Sequence, residues 1–320
     1  MNHIFSIIIF LLIMTVDSSI MAQQQLPSSN HPDDLYLGNP AARNSWYYLF
    51  GDPPPLVFNL HYRNQWQTSQ VEGTPWSAGA SLESVVGTNK NHLVSLEGRI
   101  AQWGSLESYY FKGRYAINLN GAFGGDGRKY SFNLGTAVHW ESLQLDLEKI
   151  SFNNPNDQVI FSDNSTERGS YPRISLGFFG HISKKLLYGI AISQWFAVKE
   201  RIQGAVSFYQ HPQVLGNISY IATLWNDNTY LELAGAASYV ENTPINYSFM
   251  FRPHHLLDGN RNMVSFGLGY VKNSFQVEFN WINAERFRFG CSMDLISFGT
   301  YSSTFNNFST FDIKTSIFLQ

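Results

Sequence analysis

Residues able to do chemistry are plentiful in this chain but are seldom spaced for it. His254 and His255 are adjacent. In an extended segment neighbouring side chains point to opposite faces, so the two cannot easily share a metal ion. Gly-Gly-Asp-Gly-Arg at 124–128 has the glycines of a calcium or phosphate loop. It lacks a Walker lysine, an acidic ladder and a repeat, and reads as a hairpin turn. With 9 histidines and many serines the sequence leaves a Ser–His hydrolase open, but no nucleophile motif accompanies them. The expectation is therefore no catalytic residue, no metal and no cofactor. A more regular set is Arg63, Glu97, Arg99, Arg114, Glu232, Glu278, Arg286 and Arg288, which recur on or near the polar phase of alternating segments. What those charges do depends on the elements that carry them.

The elements read as β-strands. Phe275, Val277, Phe279 and Trp281 alternate with Gln276, Glu278 and Asn280. After the turn-like Asn283-Ala284-Glu285, Phe287, Phe289, Cys291, Met293 and Leu295 alternate with Arg288, Gly290, Ser292 and Asp294. A period of two on both sides of a short polar break is a hairpin signal. The same pattern recurs at 57–63, 76–84, 92–100, 108–121, 129–140, 143–150, 173–182, 186–195, 204–209, 217–225, 229–240, 245–252, 263–271 and 308–319, separated by turn residues. No helical period interrupts the series. Residues 151–171 read as the longest connection, a loop on one rim.

Composition indicates what the apolar phase faces. Charged residues make up only 14% of the chain, against about 25% in ordinary soluble domains. Aromatics reach 16%, and Trp76, Tyr109, Trp140, Trp195, Trp225, Tyr239, Tyr270 and Trp281 lie near segment ends. A transmembrane barrel needs this: an apolar outer row, a polar inner row and aromatic girdles at headgroup depth. A large soluble secreted β-protein is the alternative. The expected fold is all-β, a transmembrane antiparallel up-and-down barrel of about 14 strands, since such barrels use an even number. Lipid-facing Arg or Lys at mid-depth would cost about 2–4 kcal/mol. The charges named above should therefore point into the lumen and pair, or sit at the rims.

The chain opens on a short apolar run, Ile4 to Met14, followed by Ser18, Ser19 and Ala22. This reads as a secretory signal peptide over residues 1–22, being short of the roughly 20 residues a spanning helix needs. Residues 23–55 form a Pro-rich polar segment lying inside or beneath the main fold, and 56–320 form the barrel. The single Cys291 excludes an internal disulfide. A net charge of −3 gives no electrostatic case for nucleic acid.

Particular stretches carry a resemblance. Asn39, Pro40 and Ala41 open "NPAARNSW". Tyr62, Arg63, Gln65 and Trp66 follow in "LHYRNQW", and Pro75 in "TPWSAGASLES". Midway stand "YSFNLGTAVHWESLQLDLEKISFNNPNDQVIF" at 130–161 and then "SYPRISLGFFGHI". In this order they resemble the PorP/SprF family of outer-membrane proteins of the Bacteroidetes type IX secretion system. The resemblance implies a barrel without enzymatic role, in the bacterial outer membrane, which supports protein export and gliding motility. Its implied partners are outer-membrane lipid together with type IX secretion components, a large secreted cargo whose C-terminal domain is recognised, or both. The sites the resemblance singles out are Asn39, Pro40, Arg63, Gln65 and Trp66, with Asn154, Pro155 and Asp157 in the 152–161 loop. Their role is either to bind the partner or to dock the leader on the barrel wall. The competing function is an outer-membrane solute channel or transporter.

Overall fold

Strict alternation closes on itself in the computed structural model. It describes residues 38–43, 55–65, 75–87, 91–120, 129–146, 166–193, 198–201, 207–210, 212–224, 228–240, 245–257, 262–271, 274–283, 285–297 and 310–319. The strands are β1 (Leu56–Gln65), β2 (Trp76–Val86), β3 (His92–Trp103), β4 (Leu106–Asn118), β5 (Tyr130–Asp146), β6 (Thr166–Ile182), β7 (Leu186–Ser193), β8 (Val198–Arg201), β9 (Ser207–Gln210), β10 (Gln213–Thr223), β11 (Thr229–Val240), β12 (Asn246–Leu257), β13 (Asn262–Val271), β14 (Ser274–Asn283), β15 (Phe287–Ser297) and β16 (Thr310–Leu319). All but β8 and β9 form one closed antiparallel barrel in sequence order. The seam is β1 on β16, in register from Leu56↔Leu319 to Gln65↔Thr310. Closure leaves no unpaired edge, which a backbone in hydrocarbon requires.

The two phases of each strand separate. Outward residues are large, apolar and uncovered: Leu268 is 62% exposed, Val138 58% and Phe266 58%. Inward residues are polar and buried, including Glu232, Ser175 and Ser248. A water-soluble protein has the opposite arrangement. In the β14–β15 hairpin Phe275, Trp281, Phe289 and Met293 face outward, while Gln276, Glu278, Asn280, Arg288 and Ser292 are buried inside. Every β2–β3 and β13–β14 pair runs without a register slip, because a slip of one residue would turn charges to the lipid.

The barrel has two unlike rims. One carries both barrel ends of the chain, Leu56 and Leu319, and the short β6–β7 turn at Ser183–Lys185; it is called the turn rim below. The other carries the connections 66–75, 147–165, 194–212 and 298–309 and is the loop rim.

Three details depart from the sequence reading. The segment 129–140 and the described part of 143–150 are one strand, β5 (Tyr130–Asp146), because the polar Glu141-Ser142 break keeps phase: Glu141 is buried inside and Trp140 is exposed outside. The described part of the segment 204–209 lies in β9, which is not a barrel strand and pairs with β8 at the loop rim. The connection read as 151–171 is shorter, since β6 begins at Thr166 and pairs through Asp146↔Thr166. There Arg168 and Ser170 point outward, so the strand lacks the apolar row that marks the others. The expected signal peptide and most of the 23–55 segment lie outside the described residues.

Candidate functional site

The interior is occupied by the chain's own N-terminal segment. Asn39, Pro40, Ala41 and Ala42 are buried within the barrel. Asn-Pro opens a tight turn: the Asn39 carbonyl accepts from the Ala42 N–H at 3.1 Å, and Asn39 Oδ1 accepts from the Ala41 N–H at 3.0 Å. Asn at the first position and Pro at the second are the residues such a turn favours. The other end of the amide faces the wall. Asn39 Nδ2 donates to the carbonyls of Phe178 at 2.9 Å and Ile190 at 3.4 Å, and these two residues are register partners on β6 and β7.

The approach is possible because the wall is bare there. Gly135 and Gly177 are register partners on β5 and β6, and Gly189 follows on β7. A Cβ on Gly177 would fall on Asn39 Oδ1, one on Gly135 would meet the Pro40 and Ala41 backbone, and one on Gly189 would lie 2.8 Å from Asn39 Nδ2. Glycine within a strand marks such close backbone approach. Below the cradle Ala41 and Ala42 pack on Phe179, Leu187 and Ile221. Arg114 on the adjoining β4 ties the segment to β2 and β3, donating to the Ala42 carbonyl at 3.1 Å and to Ser95 Oγ at 2.9 Å while paired with Glu83.

Ion pairs line the inward face of the wall elsewhere. Glu232 accepts from Arg252 at 3.2 Å, from His254 at 3.1 Å and from Ser219 at 2.7 Å. Arg252 also donates to Glu278 at 3.0 Å, Asn280 donates to Glu278, and Arg288 donates to Asn280 at 2.8 Å. On the facing wall Glu141 accepts from Tyr171 at 2.6 Å and from Ser108 at 2.9 Å and pairs with Arg173, while Lys112 pairs with Glu97 at 3.4 Å. Arg99 lies over the Tyr110 ring. Near the turn rim Val57, Leu256, Met263, Ile282 and Phe318 form an apolar layer. Tyr230 packs against both this layer and the Ala41–Ala42 cluster.

The sequence-predicted sites separate. Asn39 and Pro40 sit together on the glycine cradle. Arg63 lies apart on β1, with Nε 3.6 Å from Asp312 Oδ1. Gln65 pairs by its backbone with Thr310 at the loop end of β1, and its side chain lies outside the described residues. So do Trp66, Asn154, Pro155 and Asp157. His254 points inward to Glu232, whereas His255 is exposed and shares a hydrogen bond with Thr229. Sequence reasoning missed Gly135, Gly177 and Gly189, and it placed Arg114 on the inward phase without linking it to the N-terminal segment. Their signal was phase: the three glycines stand in the inward row, where a cleared wall implies a guest. One Ser–His pair does exist, Ser175 Oγ at 2.6 Å from His139 Nε2, with Tyr110 on the other ring nitrogen. Ser175 has no exposed surface.

Likeness to known proteins places the chain. The barrel is similar to the toluene transporter TbuX of Ralstonia pickettii, with 11% identity and a TM-score of 0.50 over 89% of this chain and 92% of that one. It is also similar to a Pseudomonas aeruginosa FadL homologue, with 8% identity and a TM-score of 0.49 over 95% and 99%. At such identity the likeness concerns the fold, that of an outer-membrane barrel. No curated protein matches the chain. The family model described as type IX secretion system membrane protein PorP/SprF matches residues 54–316. That span takes in every barrel strand but the tip of β16, and the chain therefore belongs to the PorP/SprF family of type IX secretion system membrane proteins, as a barrel of the outer membrane.

Proposed function

We propose that this barrel is a sealed accessory of type IX secretion. It binds the C-terminal domain of an exported cargo, the periplasmic secretion and gliding machinery, or both, and performs no reaction of its own. The observation that supports this reading is the filled lumen. The Asn39–Ala42 turn lies on the wall backbone, ion pairs between neighbouring strands line the interior, and an apolar layer lies toward the turn rim. A conduction path would need a continuous aqueous bore, whereas a docking body needs a stiff wall and free rims. Short turns belong on the periplasmic side of such barrels and long connections outside. Connections 147–165, 194–212 and 298–309 would then meet a cargo, and the turn rim would meet the machinery. The absence of a reaction agrees with the burial of Ser175, which an acyl substrate cannot reach beside His139.

The test is affinity capture of a tagged full-length chain from gently solubilised outer membrane, with mass spectrometry of what accompanies it. Recovery of type IX components, or of one large exported protein with a type IX C-terminal domain, is the expected result. Recovery of the barrel alone would move the weight to a solute channel or transporter.

A further inference from the structure

The N-terminal turn has a direction as well as a seat. Gly38 lies against Leu215: a Cβ on Gly38 would fall 2.8 Å from Leu215 Cδ1. Leu215 stands near the loop-rim end of β10, which starts at Gln213. Asn39 then bonds the Phe178 and Ile190 carbonyls, the latter midway along β7. Ala41 and Ala42 pack with Leu187 and Ile221. These two stand at the turn-rim ends of β7 and β10, where the Ile221 N–H donates to the Lys185 carbonyl at 2.7 Å. Along β10 alone the neighbours of the segment thus move from Leu215 to Ile221, away from the loop rim.

The chain downstream ends at the opposite rim. β1 starts there with Leu56, and just before it the Pro55 carbonyl accepts from the Val85 N–H at 3.0 Å and from Ser84 Oγ at 3.0 Å. From Gly38 to Leu56 the chain therefore runs the barrel lengthwise, from the loop side to the turn rim. Upstream of Gly38 the near exit is the loop rim. Gln213 is about 7 Å from Leu215 along β10, whereas Thr223 at the turn rim is about 26 Å away, at roughly 3.3 Å per residue. Doubling back would lay a second pass of backbone beside the first, with each of its peptide groups needing a partner. It would also carry Asp33 and Asp34 into an interior where Arg114, Arg173 and Arg252 already hold carboxylates. A carboxylate buried without a cation of its own is costly, and water at the rim relieves it.

We propose that the residues preceding Gly38 leave the lumen at the loop rim. The N-terminal tail, with Asp33 and Asp34, is then displayed on the same face as connections 147–165, 194–212 and 298–309, and the chain between Gly38 and Leu56 threads the barrel. With short turns on the periplasmic side, that face is the cell exterior. The inference rests on the path of the chain through the barrel and not on its role in secretion.

The test is labelling of single cysteines by a membrane-impermeant maleimide, on cells that carry the full-length protein in their outer membrane. Cys291→Ser removes the one native thiol. In that background Ser28→Cys probes the tail, Ser105→Cys marks the loop rim in the β3–β4 turn, and Lys185→Cys marks the turn rim in the β6–β7 turn. Each variant is labelled on intact cells and again after the outer membrane is opened, and heat-dependent gel mobility establishes that it is folded. The two rim markers fix the orientation of the barrel by themselves. The expected result is that Ser28→Cys follows Ser105→Cys, with labelling on intact cells at least fivefold above that of Lys185→Cys. Labelling of Ser28→Cys that follows Lys185→Cys, or that is missing both before and after opening, would overturn the proposal.

Discussion

Asn39 joins two requirements in one side chain: it closes its own turn through Oδ1 and grips the barrel wall through Nδ2. The grip depends on glycines with no side chain of their own to offer. Gly177→Leu should expel the turn, removing hydrogen bonds and apolar packing worth about 2–3 kcal/mol together. Trypsin cleavage after Arg43, next to the buried turn, should rise at least tenfold while the barrel remains folded. The reverse cost applies in the ion-pair network. Glu232→Ala would leave Arg252 and His254 facing one another without their shared carboxylate, and removing one member of a buried pair costs about 3–5 kcal/mol. The temperature at which the folded gel band converts to the unfolded one should drop clearly, and conversion at the wild-type temperature would contradict this. Much of this scale was legible in advance. The inward charges Glu97, Arg114, Glu232 and Glu278 were identified from strand phase alone, since lipid tolerates no alternative. Their partners were not, because a register row selects neighbours from strands far apart in sequence. Asn39 and Pro40 drew notice only through a resemblance, and nothing local disclosed that Gly135, Gly177 and Gly189 were their seat.

At the scale of elements, period two carries nearly all the information, and the departures follow where the second phase loses its apolar row. The start of β6 stands above the apolar belt, so its outward Arg168 and Ser170 read as loop. The segment 204–209 alternates convincingly, but its described residues belong to β9 and pair with Val198–Arg201 outside the barrel, since alternation does not say which strand a strand joins. Within the belt the phases should be strictly enforced. Phe266, outward and mid-strand on β13, should not tolerate charge: Phe266→Arg is expected to cost about 2–4 kcal/mol, seen as reduced folding yield into vesicles. The β6–β7 turn carries a local cost as well. Ser183 and Lys184 both adopt positive φ, 52° and 55°, in the three-residue connection Ser183–Lys185 between the paired Ile182 and Leu186, at positions that ordinarily favour Asn or Gly. Lys184→Gly should relax the left-handed strain and add about 1 kcal/mol of stability, measurable in urea unfolding from the bilayer. No gain would mean that the Lys184 side chain contributes as much as its backbone costs.

At the scale of the whole molecule the protein is inverted: apolar belt outside, ionic lattice inside, and its own N-terminal turn in the interior. Barrels of this size can be left open, and the similar solved structures include one that carries toluene. Here the interior is lined by paired charges and its own N-terminal turn instead, which would suit the proposed role of presenting two rims to other proteins. That contrast can be measured directly. The full-length protein, verified as folded by its heat-dependent gel mobility, is inserted into planar bilayers and its ion conductance recorded. A sealed accessory barrel predicts insertion without stable open steps. Reproducible, long-lived conductance steps from the unaltered protein would contradict the account and return the barrel to the class of channels.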